Sequence, residues 1–294
     1  MRKYALFLSL LSVCFMFVSP GAVVRASAAP STCAWQSDQG NAGWPDLNAQ
    51  YWITSFTSQP DLTITVHGAY PSARYFSITA YNAWGIAGPA NVIHDSQIVP
   101  DPDGNFTVTV SHTSGPNTIS FANVVNGTTG YLMFRVFVPN GSAQLPSLTF
   151  TNSAGSVSFA ACSVPAPLNA AFGLFNNPDN MYVSFFPPYP FGNYVVVITG
   201  LAPTQVRYWS WCSYLWTSAA VDCRYDADTP LSNGYYHIVL GQPTQQSAIV
   251  AAGYTYMQYS TMVMLRNLVG NQTTGAYAPI FKICVITDST CITS

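Results

Sequence analysis

The chain of 294 residues is poor in charge: charged residues make up 7% of it and hydrophobic residues 49%, where ordinary soluble domains carry about 25% charged residues. There is no Glu, and after residue 28 eleven Asp face five Arg and one Lys, a net charge near −5. No basic patch is available for a phosphate backbone, so nucleic acid is excluded as a partner.

At the N-terminus, Arg2 and Lys3 precede an apolar run from Tyr4 to Val18 and the small residues Ala26-Ser27-Ala28. This order predicts a signal peptide over residues 1–28, a secreted mature chain beginning near Ala29, and no transmembrane segment after cleavage. The strong helix formers Glu, Lys and Arg are scarce beyond it, while Tyr, Phe, Thr, Val and Ser favour strands.

Strands are expected at Tyr51–Phe56, at Leu62–Val66 where Thr alternates with apolar residues, and at Arg74–Tyr81. Residues 83–97 read as irregular. A Pro-Asp-Pro-Asp-Gly turn at 100–104 leads into the alternating run Phe106–Val110, followed by strands at Asn117–Val125 and Tyr131–Val138 and a terminal hairpin of Leu148–Phe150 with Val157–Phe159. Pro165 and Pro167 mark a linker. Beyond it come Met181–Phe186, Tyr194–Thr199, Arg207–Tyr214, Tyr235–Leu240, Tyr254–Gln258 and Met262–Leu268. Short strands at regular spacing, with no helical periodicity, predict an all-β antiparallel sandwich of jelly-roll type.

The two series of strands are related. Arg74 and Arg207 lie 133 residues apart, Arg135 and Arg266 131 apart, and Tyr51 and Tyr182 131 apart. Gly68 and Pro71 recur as Gly200 and Pro203, each at an offset of 132. The sequence therefore predicts two tandem homologous sandwiches, residues 29–162 and 163–294. Cys33, Cys162, Cys212, Cys223, Cys284 and Cys291 remain after signal removal; an even count in a secreted chain reads as disulfides. The pairing expected is Cys33–Cys162, Cys212–Cys223 and Cys284–Cys291.

Candidate sites follow from the rarer residues. Arg74, Arg135, Arg207 and Arg266 stand among bulky apolar side chains and need carboxylate or carbonyl partners. Asp95 and Asp226, 131 apart, are the candidates for one Arg–Asp clamp in each sandwich. The alternative is that these arginines line a cavity for an anionic ligand. Asp95, Asp101 and Asp103, and in the second series Asp222, Asp226 and Asp228, crowd loops in the way calcium sites do, although Asp-Gly and Pro-Asp are also ordinary turn chemistry. Calcium is thus the one cofactor considered. For catalysis the candidates are His94, Asp95 and His67, in the absence of any nucleophile elbow, zinc motif or phosphate loop. Trp209, Trp211 and Trp216 would suit stacking on sugar rings, or else fill a core.

Arg-Tyr-Phe-Ser-Ile-Thr-Ala-Tyr-Asn (74–82), Asp103-Gly104 before an alternating strand, and Phe-Arg-Val-Phe-Val-Pro (134–139) resemble the secreted family called domain of unknown function 1214. There a Ser-x-x-x-Tyr-Asp strand, an Asp-Gly turn and a Leu-Arg-x-Tyr-x-Pro strand recur in that order on a jelly-roll-like sandwich. The whole chain is similar to hypothetical secreted actinobacterial proteins with both copies. The chain departs from the family at Asn82, where it has Asp, and at 117–125, where a Trp-Leu-Pro stretch is missing. The resemblance implies fold and export, and no activity. The function expected is non-catalytic binding of a carbohydrate, a small ligand or a cell-surface component. The alternatives are a secreted hydrolase or lyase acting on a carbohydrate or polymer from an inter-domain cleft, and a structural coat or envelope protein.

Overall fold

A computed structural model of the chain describes residues 35–37, 44–82, 89–121, 124–156, 177–268 and 279–293. The expected signal peptide, linker and Cys33–Cys162 pair, and the strand at Val157–Phe159, fall outside these residues. The first half contains β1 (Gln36–Ser37), β2 (Ala49–Thr57), β3 (Thr63–Ala69), β4 (Ala73–Tyr81), β5 (Pro89–His94), β6 (Asn105–Ser111), β7 (Thr118–Ser120), β8 (Thr129–Pro139), β9 (Ser147–Asn152) and β10 (Gly155–Ser156). The second contains β11 (Asn180–Phe185), β12 (Tyr194–Leu201), β13 (Tyr208–Tyr214), β14 (Ala220–Tyr225), β15 (Leu231–Ser232), β16 (Tyr235–Gly241), α1 (Gln246–Ala251), β17 (Thr255–Gln258), β18 (Met262–Leu268), β19 (Ile280–Val285) and α2 (Ser289–Thr293).

The strands make four sheets, two in each half. They run β1-β2-β8-β4-β5, β10-β9-β3-β6-β7, β11-β18-β13-β14 and β15-β16-β12-β19, the last with β17 alongside β16. Nearly all neighbours are antiparallel; β6–β7 and β16–β17 pair in parallel. In each half the two sheets face each other across an apolar core. Phe76, Ile78, Phe134 and Val136 meet Ile64, Val66, Phe106 and Val108 in the first. Trp209, Trp211, Val263 and Leu265 meet Val196, Ile198, Ile238 and Leu240 in the second. The all-β sandwich is what the sequence predicts.

Burial explains which strands were legible. β3 alternates, with Ile64 and Val66 buried and Thr63 and Thr65 half-buried, because only one face of its sheet meets the core. In β4, β8, β13 and β18 the faces turned away from the sandwich core are buried as well. Tyr75 and Phe137 of the first half pack there with Tyr208 and Leu268 of the second.

Several boundaries differ from expectation. Residues 89–94, within the stretch read as irregular, form β5, and the strand expected at 117–125 shrinks to β7. Pro116 and the left-handed Asn117 (φ 46°) delay its start, and turn bonds from Val124 and Thr128 follow it. Two short helices, α1 and α2, escaped the periodicity test because each spans fewer than two turns. Together they bury Ile249 and Ile292 against Val195, Val197 and Val239 of β12 and β16.

Candidate functional site

The seam between the halves is built from reciprocal contacts. Arg207 donates to both oxygens of Asp95, at 2.5 and 2.6 Å, and to the Arg74 carbonyl at 2.6 Å. In return Arg74 donates to Asp226. The arginines and aspartates pair as residue types in the expected way, but each clamp joins one half to the other rather than closing within a sandwich. The reason is placement: Arg74 and Arg207 enter strands at the seam, and Asp95 and Asp226 open the short helical turns that end β5 and β14. The same exchange occurs one layer deeper. Tyr208 donates to Asp46 at 2.7 Å and accepts from Asn48 at 3.3 Å. Tyr75 donates to Asp179 at 2.6 Å and accepts from Asn177 at 3.2 Å. Burial, reinforced by Asp46 for Tyr208 and by Asp179 for Tyr75, holds both phenols far above their usual range, so both remain donors.

Arg135 and Arg266, each 2% exposed, occupy matching register positions. Arg135 lies between Tyr51 and Ser77 on the neighbouring strands, Arg266 between Tyr182 and Ser210. Arg135 donates to Thr79 at 2.9 Å and to Tyr81. Arg266 donates to the Trp44 carbonyl and lies over the rings of Tyr182 and Tyr214. Burial opposes the charge on Arg266, but Tyr214 and Asp46 outweigh it and raise its pKa. Hydroxyl, carbonyl and ring contacts thus receive both guanidiniums, and neither arginine lines the cleft at Leu47, Asn48 and Tyr225 or the one at Arg224 and Tyr254.

The other candidates separate. His94 comes within 3.7 Å of Asp95, yet both Asp95 oxygens are engaged by Arg207, and the His94 ring bonds to Ser96 at 3.0 Å. His67 is exposed on the other sheet of the first half, on Thr107 at 3.0 Å. Asp95, Asp101 and Asp103 do not converge, nor do Asp222, Asp226 and Asp228: among the described residues the one group at ligand spacing is Asp46, Cys212 and Cys223. There the cysteines are joined as a disulfide across β13 and β14, and a second disulfide links Cys284 to Cys291. Asp222 instead holds Arg224 at 2.6 and 3.0 Å.

The tryptophans divide. Trp209 and Trp211 are buried in the second core against Tyr236, so neither can stack on an external ligand. Trp216 is 67% exposed, at the tip of the β13–β14 hairpin, which turns through Ser218 in the left-handed region (φ 68°). Phe186, 63% exposed, stacks against it with ring centres 5.5 Å apart and planes 20° from parallel. Phe186 is held there because β11 stops at Pro187-Pro188, residues that cannot donate to a ladder. Beyond it the exposed Tyr189 packs edge-on against Tyr259 at 5.4 Å, and the Tyr259 hydroxyl donates to the Pro187 carbonyl at 3.2 Å. The result is an aromatic surface of uncharged side chains. Phe186 and Tyr189 were not singled out from the sequence, although Phe-Phe-Pro-Pro-Tyr-Pro-Phe (185–191) carries the signal: aromatic residues spaced by prolines cannot be laid into a sheet.

No family model matches the chain, and no curated protein matches it. Two solved structures are similar in fold. A putative uncharacterized protein from Burkholderia cenocepacia is 12% identical with a TM-score of 0.66, over 88% of this chain and 82% of its own. The VPA0106 protein from Vibrio parahaemolyticus is 9% identical with a TM-score of 0.51, over 82% and 90%. At such identities the likeness concerns the fold alone.

Proposed function

We propose that the protein is exported and binds carbohydrate, without catalysis, through the surface formed by Trp216 and Phe186. The observation that carries this reading is the exposed, stacked pair of rings. A sugar ring presents an apolar C–H face that stacks on aromatic planes, and a ring braced by its stacked neighbour offers such a face with little side-chain freedom left to lose. The buried seam gives the platform a stiff base, and the disulfide Cys212–Cys223 at the root of the same hairpin restrains it further. Disulfides suit an oxidising compartment, and among the described residues no helix is long and apolar enough to cross a membrane. Export, and the resemblance to domain of unknown function 1214, belong to the same proposal, as does the division into two tandem homologous sandwiches. The matching register of Arg135 and Arg266 supports that division.

Affinity electrophoresis through soluble mannan and xylan, with pull-down on cellulose and chitin, tests the binding. Retardation by one of these polymers is expected, and Trp216→Ala should weaken it by about 2 kcal/mol, roughly thirty-fold, as loss of an aromatic anchor does. No interaction with any of the four, or unchanged binding by Trp216→Ala and Phe186→Ala, overturns the reading. Amino-terminal sequencing of the mature chain from culture medium tests export, with Ala29 expected as the first residue.

A further inference from the structure

The halves differ where the chain passes from one sheet of the sandwich to the other. In the first half residues 58–62 join β2 to β3 and include no aromatic side chain. In the second, residues 186–193 join β11 to β12 and read Phe-Pro-Pro-Tyr-Pro-Phe-Gly-Asn. Proline fixes φ at about −65°, and a residue before proline is held extended. A stretch with proline at 187, 188 and 190 therefore favours polyproline II, with roughly three residues per turn and about 3.1 Å per residue. The burial has that period: Pro187 and Pro190 are buried, while Phe186 and Tyr189 are 63% and 62% exposed. The two rings thus lie on one side of the strip, about 9 Å apart along the chain.

Each outward ring has a brace of its own. Phe186 stacks on Trp216, and Tyr189 meets Tyr259 edge-on. Past the strip, the exposed Phe191 leans on Tyr194 with ring centres 5.4 Å apart, across a turn closed by the Tyr194 amide on the Phe191 carbonyl at 3.0 Å. Buried Gln245 ties that turn down, donating to the Gly192 and Tyr194 carbonyls at 2.9 Å. Exposed, braced rings therefore follow one another along a short segment, with little freedom left to lose on binding. Charge narrows the ligand: no Asp, Glu, Lys or Arg occurs in 180–206, 208–221 or 229–265, the stretches that carry these rings. An acidic polymer finds no cation on them to pair with.

We infer that this surface is a track for a neutral polysaccharide chain, with Phe186, Tyr189 and Phe191 under different sugar units of one chain. The inference rests on the carbohydrate reading above and adds chain length and neutrality to it. A single sugar ring covers one braced ring; only a chain reaches from Phe186 to Tyr189 and beyond.

The test uses the full mature chain, titrated by calorimetry with cello-, xylo-, manno- and N-acetylchito-oligosaccharides from disaccharide to hexasaccharide, beside electrophoresis through polygalacturonate. In the series whose polymer binds, affinity should rise about ten-fold from disaccharide to hexasaccharide, as linked contacts add. Tyr189→Ala should remove that rise, and Tyr189→Phe, which keeps the ring, should restore it. Because Tyr189 is exposed, the melting temperature of Tyr189→Ala should stay near that of the wild type. Polygalacturonate should not retard the protein. Affinity independent of length, or an undiminished rise in Tyr189→Ala, overturns the track, while retardation by a neutral polymer leaves the proposed function standing. No binding to any neutral polymer overturns both. Equal retardation by polygalacturonate overturns the neutrality of the ligand. A dimer in sedimentation velocity that Tyr189→Ala dissolves would assign the rings to a second copy of the chain, and would overturn the inference.

Discussion

Arg207→Met is the perturbation that weighs the seam most directly. Methionine keeps much of the side-chain stem and removes the charge. The Asp95 side chain is 8% exposed and would lose both guanidinium bonds, keeping the Ser96 amide at 2.8 Å. Breaking one partner of a buried ion pair costs about 3–5 kcal/mol. Arg207 itself is 35% exposed, so water reaches the abandoned carboxylate, and a loss of about 2–3 kcal/mol is expected after that discount. Arg74→Met should cost less, about 1 kcal/mol, because the Arg74 and Asp226 side chains are 32% and 24% exposed. Urea unfolding of wild type, Arg207→Met, Asp95→Asn and the double variant gives the coupling, expected at about 1.5 kcal/mol. Coupling below about 0.5 kcal/mol, or a larger loss in Arg74→Met than in Arg207→Met, would show that the Arg207–Asp95 clamp does not hold the halves together.

Other consequences are open to equally plain measurement. Gly200 lies directly opposite Tyr236, and a Cβ there would come within 2.6 Å of the phenol carbon Cζ; Gly200→Ala should cost about 1–3 kcal/mol in urea unfolding by overpacking. Replacing Cys212 and Cys223 together by Ala opens a link with sequence separation 11 and should cost about 2–3 kcal/mol, seen as a lower melting temperature than that of the wild type under the same non-reducing conditions. His237 has its pKa lowered from 6.5 by burial and then by the Lys282 charge. The unfolded chain therefore takes up the proton first as pH falls, so stability should drop as pH descends through 6.5 and level off below the folded pKa. His237→Asn should flatten that slope; an unchanged slope would assign it to another group.

Much of the seam was legible in the sequence as residue types and little of it as partners. The sequence offset matches Arg74 with Arg207 and Asp95 with Asp226, but says nothing about whether each arginine seeks the aspartate of its own half or of the other. Three-dimensional placement decides that. The deeper contacts were hidden for a different reason. Asp46-Leu47-Asn48 and Asn177-Pro178-Asp179 stand 131 residues apart with acid and amide exchanged, so a comparison of identical residues passes over them, although each trio serves a tyrosine of the other half. For the tryptophans, the end of the strand was the missing step, because β13 is buried on both faces. Trp209 and Trp211 share a face with core residues of β13, whereas Trp216 falls beyond the strand, in a hairpin where parity no longer applies.

The unusual composition follows from the same architecture. A sandwich alone would leave one face of each sheet to water, and charged residues would alternate along its strands. Here β4, β8, β13 and β18 are covered on both faces, so their outward positions hold Tyr75, Met133, Phe137, Tyr208 and Met264 instead of Lys and Glu. The arginines that do occur in β8 and β18 survive burial because hydroxyls, a carbonyl and tyrosine faces receive them. The reciprocal contacts Arg207–Asp95 with Arg74–Asp226, and Tyr208–Asp46 with Tyr75–Asp179, have the pattern of a two-fold symmetric dimer interface. If that is the correct description, proteolytic nicking between residues 163 and 176 of the folded protein should leave the two fragments associated on a sizing column. In high salt they should still remain together, because buried tyrosine–aspartate contacts and the Phe137–Tyr208 packing are screened far less than exposed charge. Separation on nicking alone would mean that the linker, rather than the seam, holds the molecule together.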